Sequence, residues 1–245
     1  MFNQKNGIFS FNKQQTHKSL RKNADRNYRI ITEEQPVCVA AEHYRRVKVS
    51  LDFISVDREL RVMQITSSTM GEGKTTALLN IAVTYAEDQK RVLLIDLDLR
   101  RPKLHRAFKL ENRNGLTDYL AGNISLEQAI KHTDRKIDLL NSGSKVPYPT
   151  TLLGSEALAT LIEKLRGEYD MILLDTPPVL SVTDCCITSK LTDGSIFIVS
   201  QKVTDKNAAK EAVSVLRQNN VNLLGVVFTE VSKSKGGYGY YYTYY

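Results

Sequence analysis

Residues 62–76 read Val62-Met63-Gln64-Ile65-Thr66-Ser67-Ser68-Thr69-Met70-Gly71-Glu72-Gly73-Lys74-Thr75-Thr76. Val62–Thr66 has the aliphatic and β-branched content of a buried strand. Gly71 and Gly73 allow the backbone to curl so that its N–H groups face an anion. Lys74–Glu87 has the pattern of a helix, whose N-terminal dipole would add to that field. Strand, glycine loop, Lys-Thr and helix make a P-loop, with Ser68 in place of its first glycine. Met70, Gly71, Glu72, Gly73, Lys74, Thr75 and Thr76 are therefore the expected nucleotide-binding residues. Lys74 would reach the β- and γ-phosphates of ATP, and the Thr75 hydroxyl would ligate Mg²⁺.

Two further strands end in carboxylates. Leu93-Leu94-Ile95 leads to Asp96-Leu97-Asp98 and then Arg100-Arg101-Pro102. Met171-Ile172-Leu173-Leu174 leads to Asp175-Thr176-Pro177-Pro178, a Walker B pattern whose prolines end the strand. In an open α/β sheet the ligand lies beyond the carboxyl ends of the strands. Alternation along the strand puts Asp96 and Asp98 on one side. Two such charges require a nearby cation to offset them. Asp98 and Asp175 are the expected metal or metal-water ligands, and Asp96 is the expected base for an incoming hydroxyl. Catalysis would thus rest on Lys74, Asp96 and Asp98, with Thr75, Asp98 and Asp175 toward Mg²⁺.

Outward from these motifs, apolar strands are expected at Val92–Leu97, Ile137–Leu140, Met171–Asp175, Ser195–Ser200 and Leu223–Phe228. Helices are expected at Ser155–Arg166, Val182–Lys190 and Lys206–Gln218. Near-continuous aliphatic strands separated by helices predict an α/β fold, a mostly parallel sheet flanked on both faces. Upstream, Tyr44, Val47, Leu51 and Ile54 form one stripe of a helix over residues 38–58, with Glu42, Arg45, Arg46 and Lys48 opposite.

The chain has 245 residues and a formal net charge of +7. Residues 1–30 hold seven Lys and Arg against Asp25 alone, so most of that charge sits there. This segment reads as a flexible basic arm, either simply solvated or meeting an anionic surface. Residues 238–245 hold Tyr238, Tyr240, Tyr241, Tyr242, Tyr244 and Tyr245 after Gly236-Gly237. Six hydroxyl acceptors beyond a glycine hinge are accessible to a kinase site. The expected organisation is an arm over 1–37, a P-loop body over 38–230 and a tyrosine-rich tail over 231–245. The apolar runs are far shorter than the roughly 20 residues of a membrane helix. No secretory signal pattern is present, and three cysteines without metal spacing predict neither a disulfide framework nor zinc. The expected location is cytoplasmic, and no nucleic-acid motif accompanies the arm.

Taken together, the chain resembles the bacterial protein-tyrosine kinases of capsule and exopolysaccharide assembly. The resemblance covers roughly residues 38–245. It rests on Gly71–Thr76, Asp96–Pro102, His105, Gly115-Leu116 with Leu120-Ala121-Gly122, Pro147–Leu153, Asp175–Pro178 with Asp184, and the tyrosine tail. It implies an ATP- and Mg²⁺-dependent autokinase that phosphorylates its tail tyrosines in trans within a homo-oligomeric ring. It also implies activation by the cytosolic end of a transmembrane polysaccharide co-polymerase, peripheral placement at the inner membrane face, and a tyrosine phosphatase as counterpart. A Glu-x-x-Arg-x-x-Arg ring-contact motif of that family reads Glu42, Arg45 and Lys48 here. Phe228-Thr229 stands where the family commonly has Leu-Asn. Partition and division-site ATPases of the same P-loop branch share the three motifs. They usually carry a lysine at the position of Thr69 and lack the tail, and both differences favour the kinase.

Overall fold

The computed structural model describes residues 28–56, 59–133 and 136–231. The six tail tyrosines and residues 1–27 of the expected arm lie outside the described residues. The body is a seven-stranded sheet in the order β3-β4-β2-β5-β1-β6-β7. In chain order its strands are β1 (Val62–Ser67), β2 (Val92–Asp96), β3 (Ile130–His132), β4 (Ile137–Leu140), β5 (Met171–Asp175), β6 (Gly194–Ser200) and β7 (Leu223–Thr229). All neighbours pair in parallel except β3, which runs antiparallel to β4 at one edge.

Ten α-helices and one 3-10 turn (Ser189–Leu191) accompany the sheet among the described residues. The α-helices are α1 (Ile31–Glu34), α2 (Val39–Ile54), α3 (Lys74–Glu87), α4 (Leu104–Ala107), α5 (Leu116–Leu120), α6 (Leu126–Ala129), α7 (Pro149–Leu153), α8 (Glu156–Arg166), α9 (Asp184–Thr188) and α10 (Lys206–Gln218). The central strands β1, β2 and β5 are buried on both faces, which is why they lack polar alternation, whereas the edge strand β7 is largely open to solvent. Period 2 sorts their side chains instead. Met63, Ile65, Val92, Leu94, Met171 and Leu173 pack with α3 and α2. Leu93, Ile95, Ile172 and Leu174 pack with Leu158, Leu161, Ile162 and Leu165 of α8. Phe197 of β6 closes a third cluster with Cys185 of α9 and with Ala212 and Leu216 of α10.

The stripe expected on α2 packs as such: Leu51 is buried, and Tyr44, Val47 and Ile54 lie against the α3 cluster. Residues 28–37 differ from the flexible-arm expectation. Ile30 and Thr32 are buried, and Asn80 of α3 accepts hydrogen bonds at Oδ1 from the Thr32 N–H and hydroxyl, both at 3.1 Å. A local excess of charge does not report such burial, because two residues and one asparagine carry it. No helix among the described residues is long and apolar enough to cross a membrane.

Candidate active site

The parallel register sets the site. β1 lies between β5 and β6, and β5 lies between β2 and β1, so the three motif-bearing strands are contiguous. Asp96 and Asp175 are register partners at the ends of β2 and β5. β2 stops at Asp96, so Asp98 is placed by the following turn and not by strand alternation. Within that turn Asp98 Oδ1 accepts from the Arg101 N–H at 3.0 Å. The juxtaposed carboxylates are thus Asp96 and Asp175, a pairing that requires knowledge of strand order.

Asp96 is fully buried. Its Oδ2 accepts from the N–H groups of Lys103 (2.9 Å) and Leu104 (3.0 Å), which caps the start of α4. Its Oδ1 accepts from the Asp98 N–H at 3.2 Å. Burial, and then the charge of Asp175, push the Asp96 carboxyl up to about 8 against these bonds. Asp175 is also raised by burial, while Lys74 and the Thr75 hydroxyl favour its charged form. Lys74 is itself buried and lowered by desolvation, with Asp175 as its main favourable charge.

The P-loop is braced from within. Gly71 and Gly73 adopt φ of 89° and 87°, which other residues rarely tolerate. Ser68 is not in a positive-φ conformation, so a glycine is not needed there. Its hydroxyl donates to Glu72 Oε1 at 2.6 Å, and the Thr69 hydroxyl donates to the same oxygen at 2.8 Å. The backbone N–H groups of Ser68 and Thr69 complete the set on the Glu72 carboxylate. The Glu72 side chain is wholly buried and faces the loop's own interior. Only its backbone remains for a ligand. From β7, the Thr229 hydroxyl donates to the Glu72 carbonyl at 2.8 Å and lies against Gly73. Thr229 therefore supports the loop, whereas Phe228 beside it is exposed. Met70 is half exposed at the loop tip, 3.0 Å by its sulfur from the Arg101 guanidinium. The Thr76 carbonyl accepts from Asn80 Nδ2 at 2.8 Å within α3, and the Oδ1 of the same asparagine holds Thr32 of α1.

The Thr75 hydroxyl donates to Asp175 Oδ2 at 2.6 Å. Asp175 Oδ1 is buried with no hydrogen-bond partner. A hydroxyl and a carboxylate oxygen in contact, with a second carboxylate oxygen unpaired, suit a hard oxygen-seeking cation. No group of three or more His, Cys, Asp and Glu able to hold a metal occurs among the described residues. Mg²⁺ does not require one, because it usually retains waters and takes substrate phosphates as ligands.

A second network supports the β2 turn. The Arg100 guanidinium donates to Asp184 Oδ2 at 2.9 Å and to the Thr150 hydroxyl at 2.9 Å, while Thr150 donates to Asp184 Oδ1 at 3.2 Å. This ties the Asp98 turn to the starts of α7 and α9. The sequence marks Arg100 and Asp184 only by resemblance, and nothing in local spacing joins them.

The expected oligomer contacts lie away from this edge, on α2. Arg45 forks onto Glu87 at 2.8 and 2.9 Å and donates to the Pro36 carbonyl at 2.7 Å. Lys48 is held by Asp52 and Asp88 and sits 5.5 Å from the centre of the Tyr85 ring. Glu42 is more exposed and only loosely paired with Arg45 and Arg46.

The fold and these motifs define a P-loop nucleotide-binding protein built on a mostly parallel sheet. The AAA domain family matches residues 60–222. The tyrosine-protein kinase YwqD of Bacillus subtilis is 40% identical over 92% of this chain and 97% of its own length. The kinase domain of the Escherichia coli tyrosine kinase ETK superposes with a TM-score of 0.77 at 29% identity, over 86% of this chain and 85% of that one. The septum site-determining protein MinD of Pyrococcus horikoshii, complexed with Mg-ADP, superposes less well. Its TM-score is 0.57 at 27% identity, over 69% of each chain. The chain belongs to the bacterial protein-tyrosine kinases.

Proposed function

We propose that this kinase transfers the γ-phosphoryl group of ATP to tyrosines of its own tail, acting between subunits of a homo-oligomer. Its output would regulate capsular or exopolysaccharide synthesis at the inner membrane face, with a transmembrane co-polymerase as activator and a tyrosine phosphatase to reverse it. The observation that carries the reading is the convergence of Lys74, the Thr75–Asp175 bond and the Asp96–Asp175 register at one sheet edge.

The roles follow from chemistry. The loop amides after Gly71 and Gly73, together with Lys74, bind and orient the phosphates. Thr75 and Asp175 would hold Mg²⁺, with Asp98 toward its waters. Mg²⁺ supplies charge stabilisation on the transferred group. Asp96, whose raised carboxyl is the stronger base once ionised, would in that form take the proton of an incoming tyrosine hydroxyl. Thr69 in the loop and six tyrosines in the tail favour this reading over a division-site ATPase switch.

Lys74→Met tests the site. Incubated with Mg-ATP and the cytosolic segment of the adaptor, the unaltered protein should accumulate phosphotyrosine. The variant should lose at least 100-fold in rate, the scale of one electrostatic group at a transition state, with an unchanged circular dichroism spectrum. Labelling at the original rate would remove Lys74 from the mechanism.

A further inference from the structure

A second concentration of positive charge lies within the body. Residues 100–113 hold six Lys and Arg against Glu111 alone. Residues 31–245 as a whole hold 27 Lys and Arg against 26 Asp and Glu, so this excess is local. Arg100 is paired with Asp184, and Arg113 with Glu111. Arg101, Lys103, Arg106 and Lys109 have no carboxylate partner among the described residues, and Arg101, Arg106 and Lys109 are exposed.

Backbone and side-chain bonds fix these cations at the edge of the site. The Arg101 guanidinium reaches the P-loop tip, 3.0 Å from the Met70 sulfur. The Lys103 N–H donates to Asp96 Oδ2 at 2.9 Å. Beyond it the Arg106 N–H donates to the Lys103 carbonyl at 3.0 Å, and the Lys109 N–H to the Arg106 carbonyl at 3.1 Å. Two such tight turns bring Lys103, Arg106 and Lys109 into succession along the surface. Solvation alone accounts for scattered lysines. It does not account for four cations without counter-charge on the turn that Asp96 caps.

Clustered guanidinium and ammonium groups at a surface bind phosphate esters. The kinase would make such a ligand of its own tail, because each phosphotyrosine carries about −1.5 to −2 charge. Residues 238–245, fully extended, would span about 26 Å, enough to lay two phosphates on this turn while another tyrosine enters the site. We propose that Arg101, Lys103, Arg106 and Lys109 form a docking surface for the phosphorylated tail of a neighbouring copy, so that tyrosines already modified hold the tail for modification of the rest. The inference rests on the kinase reading above.

The test uses the full chain after phosphatase treatment. Without nucleotide, it should bind a peptide of residues 231–245 phosphorylated on Tyr240, Tyr242 and Tyr244 about tenfold more tightly than the unmodified peptide, by fluorescence anisotropy. That preference should weaken as salt rises. Arg106→Glu combined with Lys109→Glu should remove it with an unchanged circular dichroism spectrum. With Mg-ATP and the adaptor segment, this variant should gain its first phosphate at the original rate and the later ones more slowly, as resolved by intact mass. Equal affinity for the two peptides overturns the inference. So does a preference that survives the double substitution, which would place the phosphates elsewhere. Binding to phosphatidylglycerol vesicles that the variant loses, with no preference for the phosphorylated peptide, overturns it in favour of a membrane surface. No phosphotyrosine on the unaltered chain, with the peptide preference intact, overturns the kinase reading and not the docking surface.

Discussion

Asp96 shows how one residue can oppose stability and serve chemistry. It is a buried carboxylate whose register partner is another carboxylate, and its pKa is raised to about 8. In the unfolded chain an aspartate titrates near 3.9. A carboxyl raised on folding binds its proton more tightly in the native state. Its favourable contribution is complete below the unfolded value and is lost as pH rises from about 4 through about 8. The nucleotide-free protein should therefore be more stable at pH 6 than at pH 8. Asp96→Asn removes the charge while keeping the shape, so it should raise Tm at pH 8 by about 5 °C, the equivalent of one to two kcal/mol in a chain of this size. It should also abolish phosphotyrosine formation. A Tm lowered by Asp96→Asn at pH 8 would mean that the carboxylate is better satisfied than its surroundings indicate. Glu72 makes the complementary point. A carboxylate in a phosphate loop reads as a ligand-facing residue, yet four hydrogen bonds from Ser68 and Thr69 turn it inward. The sequence shows the residue type, and only the loop's closure shows its direction.

At the level of elements, α2 does two things at once. Its apolar stripe docks on α3, while Arg45 and Lys48 cross to Glu87, Asp88 and the Tyr85 ring at the end of the same helix. These bridges lie at the surface and are partly exposed, and surface pairs typically contribute about 1 kcal/mol or less. Glu42 has the weaker ties within its own chain and more exposure. The proposed ring contact can therefore be separated from packing. Glu42→Ala should shift the sedimentation coefficient toward monomer with Tm changed by less than about 2 °C. Arg45→Ala should do the same and also lose the Glu87 fork. An oligomer that survives both changes would assign this face to intrachain packing alone.

Across the whole molecule, the elements with a clear period or motif were legible from sequence, and their assembly was less so. The strands at 62, 92, 137, 171, 195 and 223 and the helices at 74, 155 and 206 lie within a residue or two of expectation, because each is driven by burial on a fixed period. The edge strand β3 and the short helices α4 to α7 were not expected. They span three to five residues and are held by caps such as Ser125 on Gln128 and Asp118 on Gly115, too short for any period to show. At the candidate site, the meeting of Lys74, Thr75 and Asp175 at one sheet edge follows from their motifs. The Asp96–Asp175 pairing and the Thr229 brace depend on strand order and on contacts far apart in sequence, which no local pattern encodes. Charge was legible as composition, but not the burial of Ile30 and Thr32 where the basic segment ends.

The central claim is that the site at this sheet edge transfers phosphate to tyrosine. The most direct measurement is peptide mapping by mass spectrometry of the purified full chain after incubation with Mg-ATP and the adaptor's cytosolic segment. The account expects phosphate on tyrosine only, concentrated in residues 238–245 with several groups per chain. Phosphate on serine or threonine, or steady ATP hydrolysis with no protein-bound phosphate, would contradict it and point to the division-site ATPase instead.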